Sequence, residues 1–280
     1  MEKMIQSESL RFAFGDNWAH FLTVLDDNRI QEAERSLREM LESDRLDGKR
    51  FLDIGSGSGL FSLVARRLGA TVHSFDYDPQ SVACTEELRR RYFPEDSNWV
   101  VEQGSALDSA YLDSLGTFDI VYSWGVLHHT GAMWLGIENA IRRVTEGGKL
   151  FIAIYNDQGF KSRVWWLVKW LYNCLPKPLN TIYAFSLSVL TNAINILKYS
   201  LMLKPMVAIE LLLNSRRKRG MSVFHDLIDW MGGFPYEYES YEVLSWYLKC
   251  RGFKLVQGLP AKSLGCHEQV FLRSEKELNT

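Results

Sequence analysis

The chain has 280 residues, 46% of them hydrophobic and 24% charged, which is the composition of a globular protein with a buried core rather than of a disordered or fibrous one. A formal net charge of −2 sets up no global field for nucleic acid. The cysteines Cys84, Cys174, Cys250 and Cys266 stand far apart with no CxxC pair, which excludes a readable zinc knuckle or disulfide framework and fits a reducing cytosol.

The opening MEKMIQSESLRFAFGD has no apolar core behind a basic start, so no signal peptide is expected and the mature chain is expected to begin near Met1. In RIQEAERSLREML, the residues Ile30, Ala33, Leu37, Met40 and Leu41 recur at spacings of three and four, which predicts a helix capped by Asp27 or Asn28 and stopped by Gly48. Strand and helix signals then alternate. RFLDIG precedes a helix over 60–68, TVHSFD a helix over 80–92, and NWVVEQG leads to FDIVYSW, a helix around 137–144 and KLFIAIY. Such alternation predicts crossover units on a parallel sheet covered on both faces. Near the end, a helix over 241–249 leads to FKLVQG and EQVFLR, two strands close enough to pair antiparallel. The expected architecture is therefore α/β, a doubly wound sheet of seven mostly parallel strands with an antiparallel last strand and a helical insertion after strand five. Its parts are a helical cap over 1–47, a main domain from 48–160 and 236–275, and an insert over 161–235.

The insert differs in kind. Between Lys161 and Arg219 there are ten bases and one acid, Glu210, with Trp165, Trp166 and Trp170 near the start and an apolar run over 182–203. Its polar members Ser186, Ser188, Asn192, Asn195 and Lys198 count against a membrane span. Tryptophan beside lysine and arginine suits a lipid headgroup boundary, a lid over a pocket remains open, and Arg216-Arg217-Lys218-Arg219 makes RNA the rival partner.

Asp53-Ile54-Gly55-Ser56-Gly57-Ser58-Gly59 joins the first strand to its helix. Position 60 is Leu, so G-x-G-x-x-G fails, and no Gly-Lys-Ser/Thr follows, so the phosphate loop of nucleotide triphosphatases fails as well. What stands is D-x-G-x-G-x-G with a second acid, Asp76, ending the next strand. His128 and His129 follow the fourth strand, and a histidine titrating near neutrality suits a general base; His225, before Asp226, is a third candidate. No acid pair with metal spacing is present in the sequence pattern after that strand, so no metal is expected.

In this ordered set the sequence resembles the class I S-adenosylmethionine-dependent methyltransferases, over roughly 48–155 and the two last strands. The resemblance implies a Rossmann-like fold and S-adenosyl-L-methionine as cofactor. It places Gly55, Ser56, Gly57 and Gly59 under the methionine part, Asp53 near its amino group, Asp76 on the ribose hydroxyls and Tyr77 on the adenine. Ser105 and Ala106 would border the adenine, Ser105 standing where the family usually has Asp, and Trp124 and Gly125 would border the methyl end. The segment FPYEYESYEVLSWYLKCRGFKLV and the apolar insertion look like the polyprenyl-hydroxyphenol O-methyltransferases of ubiquinone biosynthesis. That likeness implies an enzyme that methylates a hydroxyl of a small amphiphilic acceptor, phenolic, quinone-like or glycosyl; the cysteines make it cytoplasmic, and the tryptophans and bases of 161–219 make peripheral membrane contact the expectation for the insert. The rival readings are an RNA methyltransferase and a non-catalytic cofactor-binding protein at the membrane surface. The oligomeric state is not readable.

Overall fold

The computed structural model describes residues 15–201, 231–261 and 265–274. His225, Asp226 and the run Arg216–Arg219 lie outside the described residues. The chain divides into two compact units, one containing residues 163–235 and the other 13–162 with 236–280.

The larger unit is built on a seven-stranded sheet in the order β3-β2-β1-β4-β5-β7-β6. Its strands are β1 (Arg50–Ile54), β2 (Thr71–Asp76), β3 (Trp99–Gln103), β4 (Phe118–Trp124), β5 (Val144–Tyr155), β6 (Phe253–Leu259) and β7 (Cys266–Arg273). All neighbouring pairs are parallel except the two that β7 makes, with β5 and with β6. The strand order reverses between β1 and β4, and the carboxyl ends on either side of that reversal open the crevice in which such sheets bind ligands.

Among the described helices of this unit are α1 (Gly15–Val24), α2 (Asp27–Leu41), α3 (Leu60–Arg67), α4 (Pro79–Tyr92), α5 (Ser109–Ser114) and α6 (Met133–Arg142). After α7 (Phe160–Cys174) and α8 (Leu179–Leu201), α9 (Tyr241–Lys249) returns to the sheet. The apolar stripe of α2 is buried as its spacing predicts, Ile30, Ala33, Leu37, Met40 and Leu41 all facing the core. Its ends differ from the expectation. Asp26 is the cap, its Oδ1 accepting the Arg29 N–H at 2.9 Å, and the helix stops at Glu42 in a left-handed conformation, before Gly48. The helix expected around 137–144 begins instead at Met133 and Val144 opens β5, because Ile137, Ala140 and Ile141 continue an apolar face that starts with Met133. One core packs Phe51, Leu63, Tyr122, Phe151 and Val270 under the helices α2, α3 and α4; the other packs Leu52, Ile54, Ile137, Leu150 and Leu244 on the opposite face.

In the smaller unit, Trp165, Val168, Tyr183 and Leu187 gather around buried Tyr172, Ala184 and Met231. Trp166 and Trp170 stand apart from that cluster, exposed and stacked at 6.3 Å between ring centres. Along α8, Ile182, Phe185, Val189, Ile194 and Leu197 are all exposed. Among the described residues no helix is long and apolar enough to cross a membrane.

Candidate functional site

Every element of the glycine loop is held by backbone geometry. Gly55 has a φ of 79°, and a Cβ there would lie 2.4 Å from Val126 Cγ1. Gly57 has a φ of 55°, and its Cβ would meet the indole of Trp18 at 3.0 Å, so α1 covers the loop. That helix lies within the helical cap expected over 1–47, although no bounds for it are readable there. Ser56 Oγ lies 2.9 Å from Thr85 Oγ1, and the main-chain N–H groups of Gly55 and Ser56 donate to Phe75 O, which seats the loop on the end of β2. Gly59 opens α3 with no side-chain cap.

The two acids occupy different environments. Asp76, at the end of β2, accepts the Gly57 N–H through Oδ2 and the Asp78 N–H through Oδ1, both at 2.9 Å. Asp53 is only 2% exposed and sits beneath the loop. Its Oδ2 accepts from Ser62 Oγ at 2.5 Å, Ser62 and Ser74 hydroxyls are 2.6 Å apart, and Trp99 Nε1 donates to Ser74 at 2.9 Å. This buried relay leaves Asp53 without water, and burial pushes its carboxyl up to about 7 against the lowering effect of the Ser62 hydrogen bond. Ser62, nine residues after Asp53 on α3, carried no signal in the sequence.

Around the crevice, Tyr77 and Trp124 are both exposed, at 45% and 44%. Ser105 Oγ accepts the Leu107 N–H at 3.2 Å, while the Ala106 methyl belongs to the core and its carbonyl accepts from Asn139 Nδ2 at 3.0 Å. Gly125, with a φ of 77°, has open space where a Cβ would stand.

The two histidines lie in a short turn, Leu127–His129, at the wall of the crevice. His128 is fully buried, and its Nδ1 accepts the Tyr155 N–H at 3.3 Å. Its ring centre is 4.4 Å from that of His129 and 4.1 Å from that of Tyr155, and Tyr236 lies 5.0 Å beyond Tyr155. Burial raises the Tyr236 phenol to about 12. The segment carrying Tyr236 is tied down by the Glu237 N–H donating to His128 O and by the Glu237 carboxylate, which accepts the Met133 N–H and so caps α6, a helix with no side-chain cap of its own. Asn156 and Asp157 serve the chain: Asn156 N–H donates to Gly265 O, and Asp157 Oδ1 accepts the Gly159 N–H at 2.7 Å, closing the turn after β5. No group of metal-ligating side chains occurs among the described residues.

A family model described as a methyltransferase domain matches residues 25–195. The ubiquinone biosynthesis O-methyltransferase of Xanthomonas oryzae pv. oryzae is 34% identical over 116 residues, covering 41% of this chain and 47% of that protein. That of Brucella melitensis biotype 2 is 31% identical over 111 residues, covering 40% and 43%. The chain thus aligns with less than half the length of these relatives. Among solved structures, magnesium protoporphyrin IX methyltransferase from Synechocystis PCC 6803 with bound S-adenosylhomocysteine superposes with a TM-score of 0.52 at 12% identity, over 88% of this chain and 84% of that one, a likeness of fold.

Proposed function

The chain belongs to the methyltransferase-domain family, and from that premise we propose that it uses S-adenosyl-L-methionine to methylate a hydroxyl group of a small amphiphilic acceptor. The observation that carries the cofactor half is the contact between the Gly57 N–H and the Asp76 carboxylate at the carboxyl ends of the neighbouring strands β1 and β2. It puts a loop whose Gly55, Gly57 and Gly59 have no room for a side chain next to a carboxylate, the kind of acceptor that a ribose cis-diol requires. The uncapped start of α3 suits the ligand's carboxylate, and exposed Tyr77 offers a face to the adenine. Asp53, buried on Ser62, acts from below by fixing the loop.

When bound, the cofactor supplies a methyl group on a positively charged sulfur. This chain's residues bind, orient and enclose. Trp124 and Gly125 border the methyl end; Tyr155, Tyr236, His128 and His129 form an aromatic wall that excludes water from an apolar acceptor. His128, buried with Nδ1 committed to the main chain, is a wall residue in this reading, and rate comes chiefly from positioning.

The amphiphilic class of acceptor is supported by the exposed Trp166 and Trp170 and the exposed apolar side chains of α8, with the basic residues Lys161, Arg163 and Lys198 in the same two helices. The names of the relatives, ubiquinone biosynthesis O-methyltransferases, agree in kind. The test is calorimetric titration with S-adenosylhomocysteine and with NAD, followed by methyl-transfer assays on alkylated phenols and catechols. Binding of NAD in place of the adenosyl ligand would refute the cofactor assignment, and transfer to RNA but to no phenol would refute the acceptor class.

A further inference from the structure

The aromatic wall leaves unanswered what removes the proton from an acceptor hydroxyl. Trp124, the last residue of β4, pairs with Ala153 of β5, and Ala153 pairs on its other side with Glu268 of β7. The three stand in one row across the sheet. Asp53 pairs with Tyr122 two residues earlier, so this row lies level with Gly55 at the start of the glycine loop. Alternation puts Trp124, Ala153 and Glu268 on the face that carries Tyr122, Phe151 and Val270. The small side chain of Ala153 leaves room for the Trp124 indole to reach across β5 and donate to the Glu268 carboxylate. Glu268 is half-buried at the crevice edge, where β7 begins, and its burial raises its carboxyl.

A second observation comes from beneath the row. The Tyr122 hydroxyl is buried, the residue being 3% exposed, and it has no hydrogen-bond partner. It lies within electrostatic reach of both Asp53 and Glu268. A buried phenol left unmatched next to a carboxylate is costly unless a guest completes the set.

We infer that Glu268 is the general base for the acceptor, with Trp124 orienting its carboxylate and Tyr122 completing the polar floor. The inference rests on the O-methylation reading above. The acceptor O–H bond breaks with its proton passing to a Glu268 oxygen. The oxygen's electron pair forms the new bond to the methyl carbon, and the carbon–sulfur bond breaks with its pair remaining on a neutral thioether. No other reactant is needed. The sequence offers only an acid at the start of EQVFLR, which becomes meaningful when β7 inserts beside β5.

The experiment compares the parent with Glu268→Gln, which keeps an oxygen for the Trp124 N–H, and with Glu268→Asp. The probes are 4-alkylphenols, and 4-nitrophenol as an acceptor already ionised in mildly basic buffer. Turnover of the alkylphenols is expected to fall ~100-fold in the Gln variant. Turnover of ionised 4-nitrophenol should fall less than tenfold, and Glu268→Asp should lie between parent and Gln for the alkylphenols. In the dead-end complex with S-adenosylhomocysteine, the absorbance of bound 4-nitrophenol should show it ionising at lower pH in the Gln variant, by about one unit, because a neighbouring carboxylate no longer opposes the phenolate. Equal losses on both kinds of phenol, unchanged turnover, or an unshifted bound probe would overturn the assignment. A parent that binds S-adenosylhomocysteine yet methylates none of the phenols overturns the O-methylation reading itself, and the inference with it.

Discussion

Replacing Asp76 with Ala tests the cofactor half of the site at its narrowest point. In the proposed complex the carboxylate receives two ribose hydroxyls, each hydrogen bond to a charged acceptor contributing ~1.5–3 kcal/mol. Water recovers part of that in the variant, so the net loss should be ~2–4 kcal/mol, a weakening of roughly 30- to 1000-fold in Kd. The structure adds a second effect. Asp76 also accepts the N–H groups of Gly57 and Asp78, so the variant releases the glycine loop and should unfold more easily by ~1–3 kcal/mol. The two effects are separated by measuring S-adenosylhomocysteine and its 2′,3′-dideoxy analogue by calorimetry on both proteins, with urea unfolding alongside. The ligand lacking both hydroxyls should bind parent and variant almost alike. Unchanged affinity for the full ligand in a folded variant would remove Asp76 from the ribose site. An equal loss for both ligands would show that the carboxylate acts through the loop alone.

Three further outcomes are expected. Because the folded-state carboxyl of Asp53 is raised to about 7, the native state holds a proton that the unfolded chain releases from pH ~4 upward; this component of stability, up to ~4 kcal/mol, is present at low pH and lost as pH rises towards 7. Asp53→Asn should abolish that slope in urea unfolding followed between pH 4.5 and 7.5, on the scale of the ~1.4 kcal/mol per unit that one proton represents, and parallel curves for the two proteins would refute it. Gly57→Val forces a branched side chain into a left-handed backbone and against Trp18, so S-adenosylhomocysteine binding should vanish in calorimetry while the far-ultraviolet circular dichroism persists; parent-like affinity would show that the loop is no cradle. Flotation with anionic vesicles should require acidic lipid, survive high salt in part, and fall for Trp166→Ala with Trp170→Ala, whereas indifference of the parent to vesicles would refute interfacial binding.

Trp165 illustrates why the sequence alone could not assign that surface. KSRVWWLVKW offers three tryptophans in six residues, and only the helical turn separates Trp165, packed with Val168 and Tyr183, from Trp166 and Trp170 outside. The frame was more legible. Periodicity placed α2 and α9 and located the strands along the chain, since apolar spacing and β-branched runs report directly on which face is buried. Helix starts were less so: α6 has Ala132 at its N-cap position and borrows Glu237 from 104 residues away, a cap invisible to any local rule. Short α5 lacked enough turns to show a period.

The site divides along the same physical line. Its cofactor half is local, because a strand, a tight turn and a helix are consecutive, and Asp53, the glycines and Asp76 can be found by spacing within 24 residues. Its acceptor half is assembled from chain ends that meet only through the sheet. His128 looks catalytic in sequence because histidines near a crevice often are; in three dimensions its Nδ1 serves the main chain of Tyr155, and the turn buries it. Glu268 looks like an ordinary surface acid, but the antiparallel entry of β7 next to β5 turns its N-terminal end towards the crevice, and a one-residue change in register would point it to the opposite face. An acceptor-side base supplied by β7 therefore depends on the pairing of Ala153 with Glu268. Ala153→Leu would fill the gap that the Trp124 indole crosses. It should break the contact between indole and carboxylate while leaving the strand pairing intact, and the indole N–H resonance of Trp124 in a nitrogen-15 spectrum is where the loss would be seen.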